Sequence, residues 1–392
     1  MGDGMEAAYG PNTGGRRRGE FIFLNKRLFP AITAKELYMN CSAIMKGFIF
    51  FIYFCGSLNA GETQGNYYTD VNREIFLLPK SAAMAGSDVT ISRSALPLSN
   101  PASLASDSAK GIDIAYAGYF QNTYSTCALA YIGPVDHRSS MGVSASYIIV
   151  PDIDISPDTA HPFQEKASSS DLFFRISYGR QLLRFDELSF WGERFALNAG
   201  AALNAERLNL LGWTGYGIGV DAGFDFSMYS KETGSVVTAA VMLDNLTTDF
   251  THWSSDYKEY AYPHLRFGLG LQQELPYIYG KFSFSYLSPD LFTNEGINQY
   301  GSDSLDQNNT VESPTIEQVK THPSMLFLNS RLGAEYTIMN TISFRIGVNI
   351  SDGTVSFGGG LRLFHDRAGF DFAYLDQSLA STYKISVNYK WF

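Results

Sequence analysis

A two-residue alternation of apolar and polar side chains runs through most of this chain, from about residue 111 to its end. In residues 342–350, Ile, Phe, Ile, Val and Ile alternate with Ser, Arg, Gly and Asn. The same alternation recurs at residues 172–179, 218–226 and 265–272. Because side chains of a β-strand point alternately to its two faces, this pattern predicts strands with one apolar and one polar face.

The polar face of these segments is rich in Gly, Ser, Ala and isolated charges of both signs. The polar face of a soluble sandwich would instead be solvent-exposed and rich in Lys, Glu and Thr. Small and charged side chains suit a confined aqueous lumen, and the apolar face would then contact lipid. The backbone N–H and C=O groups of an open sheet edge would have no hydrogen-bond partners in lipid. We therefore expect an all-β fold, a closed transmembrane antiparallel β-barrel.

The alternation and the turn residues divide the barrel region, residues 111–392, into about fourteen strands. The expected spans are 111–120, 122–132, 140–150, 170–181, 189–204, 214–228, 234–246, 262–273, 276–287, 325–338, 341–350, 353–364, 366–376 and 380–392. Long connections, at 151–169, 205–213, 247–261 and 288–324, all follow odd-numbered strands. Short periplasmic turns and long outer loops are typical of bacterial outer-membrane barrels. We therefore expect an outer-membrane location, with the N-terminus periplasmic and the long loops extracellular.

Composition excludes several other classes for this chain of 392 residues. Its net charge of -10 argues against a nucleic-acid partner, which requires a basic surface. Phe48 to Cys55 is an apolar run far shorter than the ~20 residues of a spanning helix. The sequence contains no Gly-x-Ser-x-Gly elbow, no His-Glu-x-x-His and no Cys/His cluster. We expect no enzymatic activity, no catalytic residues, no metal and no cofactor.

The N-terminal region divides into three parts before the barrel. Residues 1–44 form an extension that we interpret as lying upstream of the native start, and residues 45–60 have the features of a secretory signal peptide. A buried strand or helix is the alternative interpretation of the apolar run. Residues 61–110 lack alternation and are punctuated by Pro and Gly, which predicts short helices and turns. We expect this segment to form a plug or hatch inside the barrel, or a cap below it, with a flexible tail as the alternative.

Charged residues on the polar face are the candidate functional residues of the lumen. We expect the basic side chains among them to pair with the acidic ones. The set comprises Asp113, Arg175, Asp221, Asp225, Arg266, Lys281, Arg331, Glu335, Arg345, Arg362, Asp371 and Lys384. Two interpretations remain open: a salt-bridge network that braces wall and plug, or a conduit for a polar or amphipathic ligand.

The final strand ends in an alternating aromatic pattern, with Tyr389 and Trp391 on one face and Phe392 at the terminus. A terminal aromatic residue after such a strand is similar to the signal that the outer-membrane assembly machinery recognises. We therefore expect outer-membrane lipid and this machinery among the partners.

The plug segment carries the most specific resemblance to a known family. Ala83-Met84-Ala85-Gly86 is followed by Asp88-Val89, and then by the motif Asn100-Pro101-Ala102-Ser103-Leu104. These motifs resemble the N-terminal signature of the PorV/PorQ outer-membrane family, which belongs to a wider group of barrels similar to the fatty-acid transporter FadL. The structural motif residues are Gly86, Asn100, Pro101, Ala102 and Leu104. We expect Asn100-Pro101 to form a sharp lead into the first strand, because Pro restricts the residue before it.

The resemblance implies a fourteen-stranded barrel and two kinds of function. Some family members are accessory parts of type IX secretion, so secretion-system proteins or secreted cargo would be the partners. The wider group implies a passive transporter of hydrophobic or amphipathic small molecules, with such a molecule as ligand. A barrel without any cargo is a third hypothesis. The sequence favours the secretion hypothesis first and the transporter second.

Overall fold

The structure, a computed structural model, describes most of the barrel and most of the predicted plug, from residue 73 onward. The described residues are 73–90, 94–106, 109–155, 165–184, 189–190, 193–230, 233–246, 250–256, 258–261, 263–289, 291, 330–377 and 380–391. They all belong to one compact unit, Thr63–Phe392. The predicted upstream extension and signal peptide, residues 1–60, lie outside the described part of the chain, as do residues 61–72, most of the 288–324 connection and Phe392.

Fourteen long strands and three short ones are present among the described residues. The long strands are β1 (Lys110–Tyr119), β2 (Tyr124–Asp136), β3 (Ser139–Ile155), β4 (Glu165–Leu183), β6 (Glu193–Leu210), β7 (Trp213–Ser230), β8 (Ser235–Asp244), β11 (His264–Leu275), β12 (Gly280–Ser288), β13 (Arg331–Ile338), β14 (Ile342–Asn349), β15 (Val355–Leu363), β16 (Ala368–Asp376) and β17 (Thr382–Trp391). The short strands are β5 (Ser189–Phe190), β9 (Phe250–Trp253) and β10 (Lys258–Tyr260).

The fourteen long strands form one closed antiparallel barrel. Each pairs with the next long strand along the chain, and β17 pairs with β1, from Lys110 opposite Trp391 to Gly118 opposite Tyr383. The prediction of a fourteen-stranded antiparallel barrel is confirmed. Closure matters physically, because every strand then finds hydrogen-bond partners on both sides and the wall has no open edge.

The outward face of the wall is apolar and the inward face is polar, as the alternation predicts. Along β14, Phe344 and Ile346 point outward with 58% and 46% of their surface exposed, whereas Ser343 and Arg345 point into the lumen with 4% and 5% exposed. A continuous exposed apolar surface of this kind is stable only in lipid, so the barrel spans a membrane. None of the described helices is long and apolar enough to cross a membrane.

The two ends of the barrel differ in height. We call proximal the end where β1 begins and β17 ends, and distal the opposite end. Strands β3, β4, β6 and β7 are 17 to 19 residues long, and residues 215–218 of β7 pair with β9 beyond the end of β8. A spanning strand needs only ~9–11 residues, so this part of the wall continues outside the bilayer at the distal end.

The expected long connection at 205–213 is wrong. β6 runs to Leu210, β7 begins at Trp213, and the turn is formed by Leu211 and Gly212, both with positive φ. Polar residues such as Arg207 and Asn209 make the sequence of this segment similar to that of a loop. They occur here because a strand that rises above the bilayer no longer needs an apolar outer face. The connection expected at 151–169 is likewise shorter, since β3 extends to Ile155 and β4 begins at Glu165.

The plug segment contains short helices and turns inside the lumen. A 3-10 helix spans Arg73–Phe76, an α-helical turn spans Pro79–Ala82, and a second 3-10 helix spans Pro101–Ser106. A third, Pro276–Ile278, lies in the turn between β11 and β12. Pro79 occupies the first position of its helical turn, where its missing N–H leaves no hydrogen bond unmade. Gly86 has φ +71°, a left-handed conformation that favours glycine, and its N–H donates to the carbonyl of Ser81 at 2.8 Å.

The plug packs directly on the inner wall at a ring of glycines. Eight of these, each on a different strand, would place an added Cβ only 2.0 to 2.6 Å from a plug atom. They are Gly142, Gly179, Gly200, Gly223, Gly268, Gly333, Gly347 and Gly358. Several are direct neighbours across the sheet: Gly179 is opposite Gly200, which is opposite Gly223. Any side chain here would occupy space that the backbone or a side chain of the plug fills.

The two halves of the plug contact opposite parts of this ring. Residues 83–89 follow the wall from β16 to β8, where Val89 packs against Ala240. Residues 100–104 follow the wall from β7 to β3, and the Nδ2 of Asn100 donates to the carbonyl of Phe224 at 3.3 Å. The plug therefore contacts the inner wall on both sides of the lumen at this level.

The expectation that Asn100-Pro101 leads into the first strand is wrong. Pro101 starts a 3-10 helix, and β1 begins only at Lys110. The Oδ1 of Asn100 accepts from the N–H of Ala102 at 3.0 Å, and its carbonyl accepts from the Ser103 hydroxyl at 2.7 Å. This is a helix-capping arrangement with Pro at the first position, which explains the Asn-Pro pair locally.

Substitution of a ring glycine by alanine is expected to destabilise the protein. In Gly200→Ala the new Cβ meets the backbone of Pro101 at 2.4 Å, so plug or wall must shift, at a cost of ~1–3 kcal/mol in the free energy of unfolding. Gly359→Ala is the matched control, because its nearest neighbour lies at 3.6 Å. The control is expected to be neutral or slightly stabilising, since alanine is less flexible than glycine. Urea titration of the folded barrel measures both, and equal effects would contradict close packing at the ring.

Candidate functional site in the lumen

Two networks of buried ion pairs line the lumen. In the first, the guanidinium of Arg175 donates to Asp221 Oδ2 at 2.5 Å, and also to the carbonyl of Ser99 in the plug at 2.9 Å. Asn204 donates to the same carboxylate oxygen at 2.8 Å, and the N–H of Asn245 donates to the other oxygen at 3.1 Å. Because the carboxylate is held by three donors, this network joins β4, β6 and β7 to the plug and leaves little room for a ligand.

The second network joins β13 to β16. Arg345 donates to Glu335 Oε2 at 2.5 Å and to Asp371 Oδ1 at 2.8 Å. Arg362 makes two bonds to Asp371, at 3.0 and 2.9 Å, and Lys80 of the plug lies 3.9 Å from Glu335. Buried charges of this kind are tolerated because each one is paired and hydrogen-bonded.

The other lumen charges named from the sequence are dispersed. Asp225 accepts from Asn198 at 2.8 Å. Arg266 is bonded to Asp244, a residue that the sequence analysis did not select. Arg331 lies close to Gly86, and Lys384 donates to carbonyls of the plug. These contacts connect the charges to neighbouring strands and to the plug.

A polar cavity of about 370 Å³ lies below the plug, toward the proximal end. Its charged lining residues are Lys80, Asp113, Lys281, Glu335, Arg362, Asp371 and Lys390. Lys80 and Leu78 from the plug form part of its boundary. The described His, Cys, Asp and Glu residues include no group of three or more arranged to hold a metal ion.

An apolar cluster lies toward the distal end of the lumen. Ile148, Phe173 and Leu208 lie on the inward faces of β3, β4 and β6, where most neighbouring positions are small or polar. Trp253, on β9, completes a buried apolar cluster with them, and its indole N–H has no hydrogen-bond partner among the described residues. We call these four residues the distal apolar site.

A side chain of the plug fills the distal apolar site. Phe76 is 2% exposed, and its ring lies 5.0 Å from that of Phe173, edge to face. Ile75 packs against the same cluster. An apolar ring held by other apolar side chains in an otherwise polar lumen marks the position where a hydrophobic molecule could bind.

Sequence reasoning did not find the distal apolar site. One signal was present: Phe173 occupies the polar phase of its strand, between Leu172 and Phe174. This aromatic residue is an exception on the lumen face, where most residues are small or polar. Its partners come from β3, β6, β9 and the plug, so their proximity depends on the closed barrel.

The motif and terminal residues occupy structural positions. Ala102 and Leu104 of the plug are fully buried, and Leu104 packs with Ala95 and Leu96 against β2. At the proximal rim, the ring of Trp391 lies 6.0 Å from that of Tyr389 and 6.2 Å from that of Tyr131. These aromatic rings share the outward face near one membrane boundary, as in aromatic girdles of membrane barrels.

Comparison with known proteins finds solved structures of similar fold. A mutant of the TodX monoaromatic hydrocarbon channel is 10% identical, with a TM-score of 0.46, covering 80% of this chain and 98% of the other. The Pseudomonas putida toluene transporter TodX is 11% identical, with a TM-score of 0.40 and coverage of 80% and 96%. The KdgM porin is 6% identical, with a TM-score of 0.32 and coverage of 72% and 99%. No family model and no curated protein matches this chain.

Removal of the central cation of the second network is expected to be strongly destabilising. Arg345→Met leaves Glu335 and Asp371 without their shared partner, and breaking a buried pair in this way costs ~3–5 kcal/mol. Lys166→Met is the control, since its pair with Asp152 is exposed and contributes ~0–1 kcal/mol. Urea titration compares the two variants. A change of less than about 1 kcal/mol in Arg345→Met would show that the network does not stabilise the wall.

Proposed function

We propose that this protein is an outer-membrane transporter for small hydrophobic or amphipathic molecules. The observation that carries the proposal is the distal apolar site, an apolar cluster built into a polar lumen and filled by Phe76. Ligand sites in proteins are mostly apolar, and removal of the Phe76 ring would free space lined by the four apolar side chains of this cluster. A transported molecule would take the place of the Phe76 ring.

The size of the displaced group indicates the substrate class. The side chain of Phe76 is a methyl-substituted benzene ring, so the matching ligand is a small aromatic or similarly compact apolar molecule. Burial of such a side chain contributes ~1.5–3 kcal/mol, which an incoming ligand must match or exceed. A transported molecule would also pass the polar proximal cavity. This favours small amphipathic molecules over long apolar chains.

The shape of the barrel supports an orientation for transport. The proximal turns between β11 and β12, β13 and β14, and β15 and β16 are short, whereas the distal wall rises above the bilayer. Short turns face the periplasm in outer-membrane barrels. In this orientation the distal apolar site is on the external side, where a hydrophobic molecule first meets the barrel.

The secretion role implied by the PorV/PorQ resemblance stays a prediction. No family model matches the chain, and most of the 288–324 connection, which was expected to contact cargo, lies outside the described residues. Recovery of secretion-system proteins with the tagged protein from gently solubilised membranes would support that role over transport.

The transport proposal predicts that the wild-type protein binds toluene, the free analogue of the Phe76 side chain. Trp253 provides the measurement, because it lines the distal apolar site. With Trp191, Trp213 and Trp391 replaced by Phe, its fluorescence reports binding in nanodiscs. Phe76→Ala is expected to bind toluene at least ~10-fold more tightly, because the competing ring is gone. Phe173→Asp is expected to abolish binding by placing a charge in the site.

Leu104→Ala is the matched control for a non-specific cavity. It also removes a fully buried plug side chain, but in a cluster formed with β2, away from Trp253. Its toluene binding at Trp253 should equal that of wild type. Absence of binding in both the wild type and Phe76→Ala would overturn the transport proposal.

A further inference from the structure

Two barrel side chains hold the plug at the residues on either side of Phe76. The amine of Lys384 donates to the carbonyl of Ile75 at 2.9 Å and to the carbonyl of Leu77 at 3.2 Å. The hydroxyl of Tyr119 donates to the same Ile75 carbonyl at 2.6 Å. The Phe76 ring therefore projects from between two peptide units that are fixed to the wall.

The two side chains come from the strands that close the barrel. Lys384 is on β17 and Tyr119 is on β1, and these strands pair with each other. Lys384 is 2% exposed and Tyr119 is 4% exposed. The Lys384 amine lies 5.0 Å above the centre of the Tyr119 ring, a distance at which cation and ring attract each other.

Burial makes these bonds strong. A desolvated ammonium is costly unless hydrogen-bond acceptors surround it, and the plug carbonyls supply two. Hydrogen bonds to a charged group are about twice as strong as neutral ones. Movement of residues 75–77 away from the wall would leave the amine without these acceptors, so Lys384 opposes the movement.

We propose that Lys384 and Tyr119 form a latch that keeps Phe76 in the distal apolar site and thereby sets the affinity for the transported molecule. This inference rests on the proposed transport function. Both are positioning residues, because they act on the ligand through Phe76. When a site is open only part of the time, the apparent dissociation constant is the intrinsic one divided by the open fraction. A weaker latch raises the open fraction and tightens binding.

The test combines latch variants with removal of Phe76. Lys384→Met keeps the length of the side chain without the donors, and Tyr119→Phe removes only the hydroxyl. Each is expected to lower the toluene dissociation constant by about 5- to 10-fold in the single-tryptophan protein. In the Phe76→Ala background neither should change it by more than about 2-fold, because no ring remains to be released. Lys110→Met, on an exposed residue of β1, is the charge-matched control and is expected to bind as wild type.

A ligand-independent measurement separates the latch from the transport proposal. Hydrogen exchange of the full protein should be faster at residues 75–78 in Lys384→Met and unchanged at residues 101–106, which pack on the glycine ring. Toluene binding in Phe76→Ala with no effect of the latch variants on affinity would overturn the latch and leave transport standing. Unchanged exchange at residues 75–78 would also overturn the latch. Faster exchange without any toluene binding would retain the latch and reject transport.

Discussion

Close contact between the plug and the glycines of the inner wall is the packing on which the rest of this structure depends. Each glycine removes a side chain where the plug passes, so plug and wall approach at van der Waals distance. This contact fixes the height of the plug in the barrel. It thereby places Phe76 among the distal apolar residues and Lys80 at the proximal cavity.

Above and below this level the lumen has different chemistry. Buried charges near the plug are balanced within the wall, as Arg345 is by Glu335 and Asp371. Such pairs cost desolvation energy, but they satisfy polar groups that a closed barrel cannot expose to bulk water. At the distal end the wall turns apolar around Phe173 and Trp253. The contrast makes the distal apolar site chemically distinct from the ion pairs that brace the wall.

The described plug residues are held to the wall in two different ways. Residues 83–89 and 100–104 of the plug pack on the ring glycines, whereas the residues on either side of Phe76 are held by hydrogen bonds to Lys384 and Tyr119. Release of residues 75–77 breaks only these few hydrogen bonds, whereas the packed part of the plug cannot move without displacing the wall. Local release of residues 75–77 is therefore the easier motion, and the latch is located where that motion would start.

The sequence by itself determined the architecture: fourteen strands, closure, and the division into an apolar outer and a polar inner face. Alternation along residues 342–350 is a local property that needs no knowledge of the neighbouring strands. The prediction from alternation was wrong at 205–213, because the strands there extend above the bilayer and their sequence resembles that of a loop. The position of a charged residue in the alternation also predicts that it faces the lumen. It does not predict every partner, because Arg266 bonds to Asp244, which was not among the predicted lumen charges.

Only the tertiary structure decided which residues contact one another inside the barrel. The distal apolar site combines β3, β4, β6 and β9 with Phe76, which precedes Trp253 by more than a hundred residues. Lys384 is even further from Ile75 along the chain, and nothing local to either residue indicates the other. Such contacts follow from the number and register of strands around a closed wall and from the path of the plug. Both are properties of the whole barrel, and no single segment carries them.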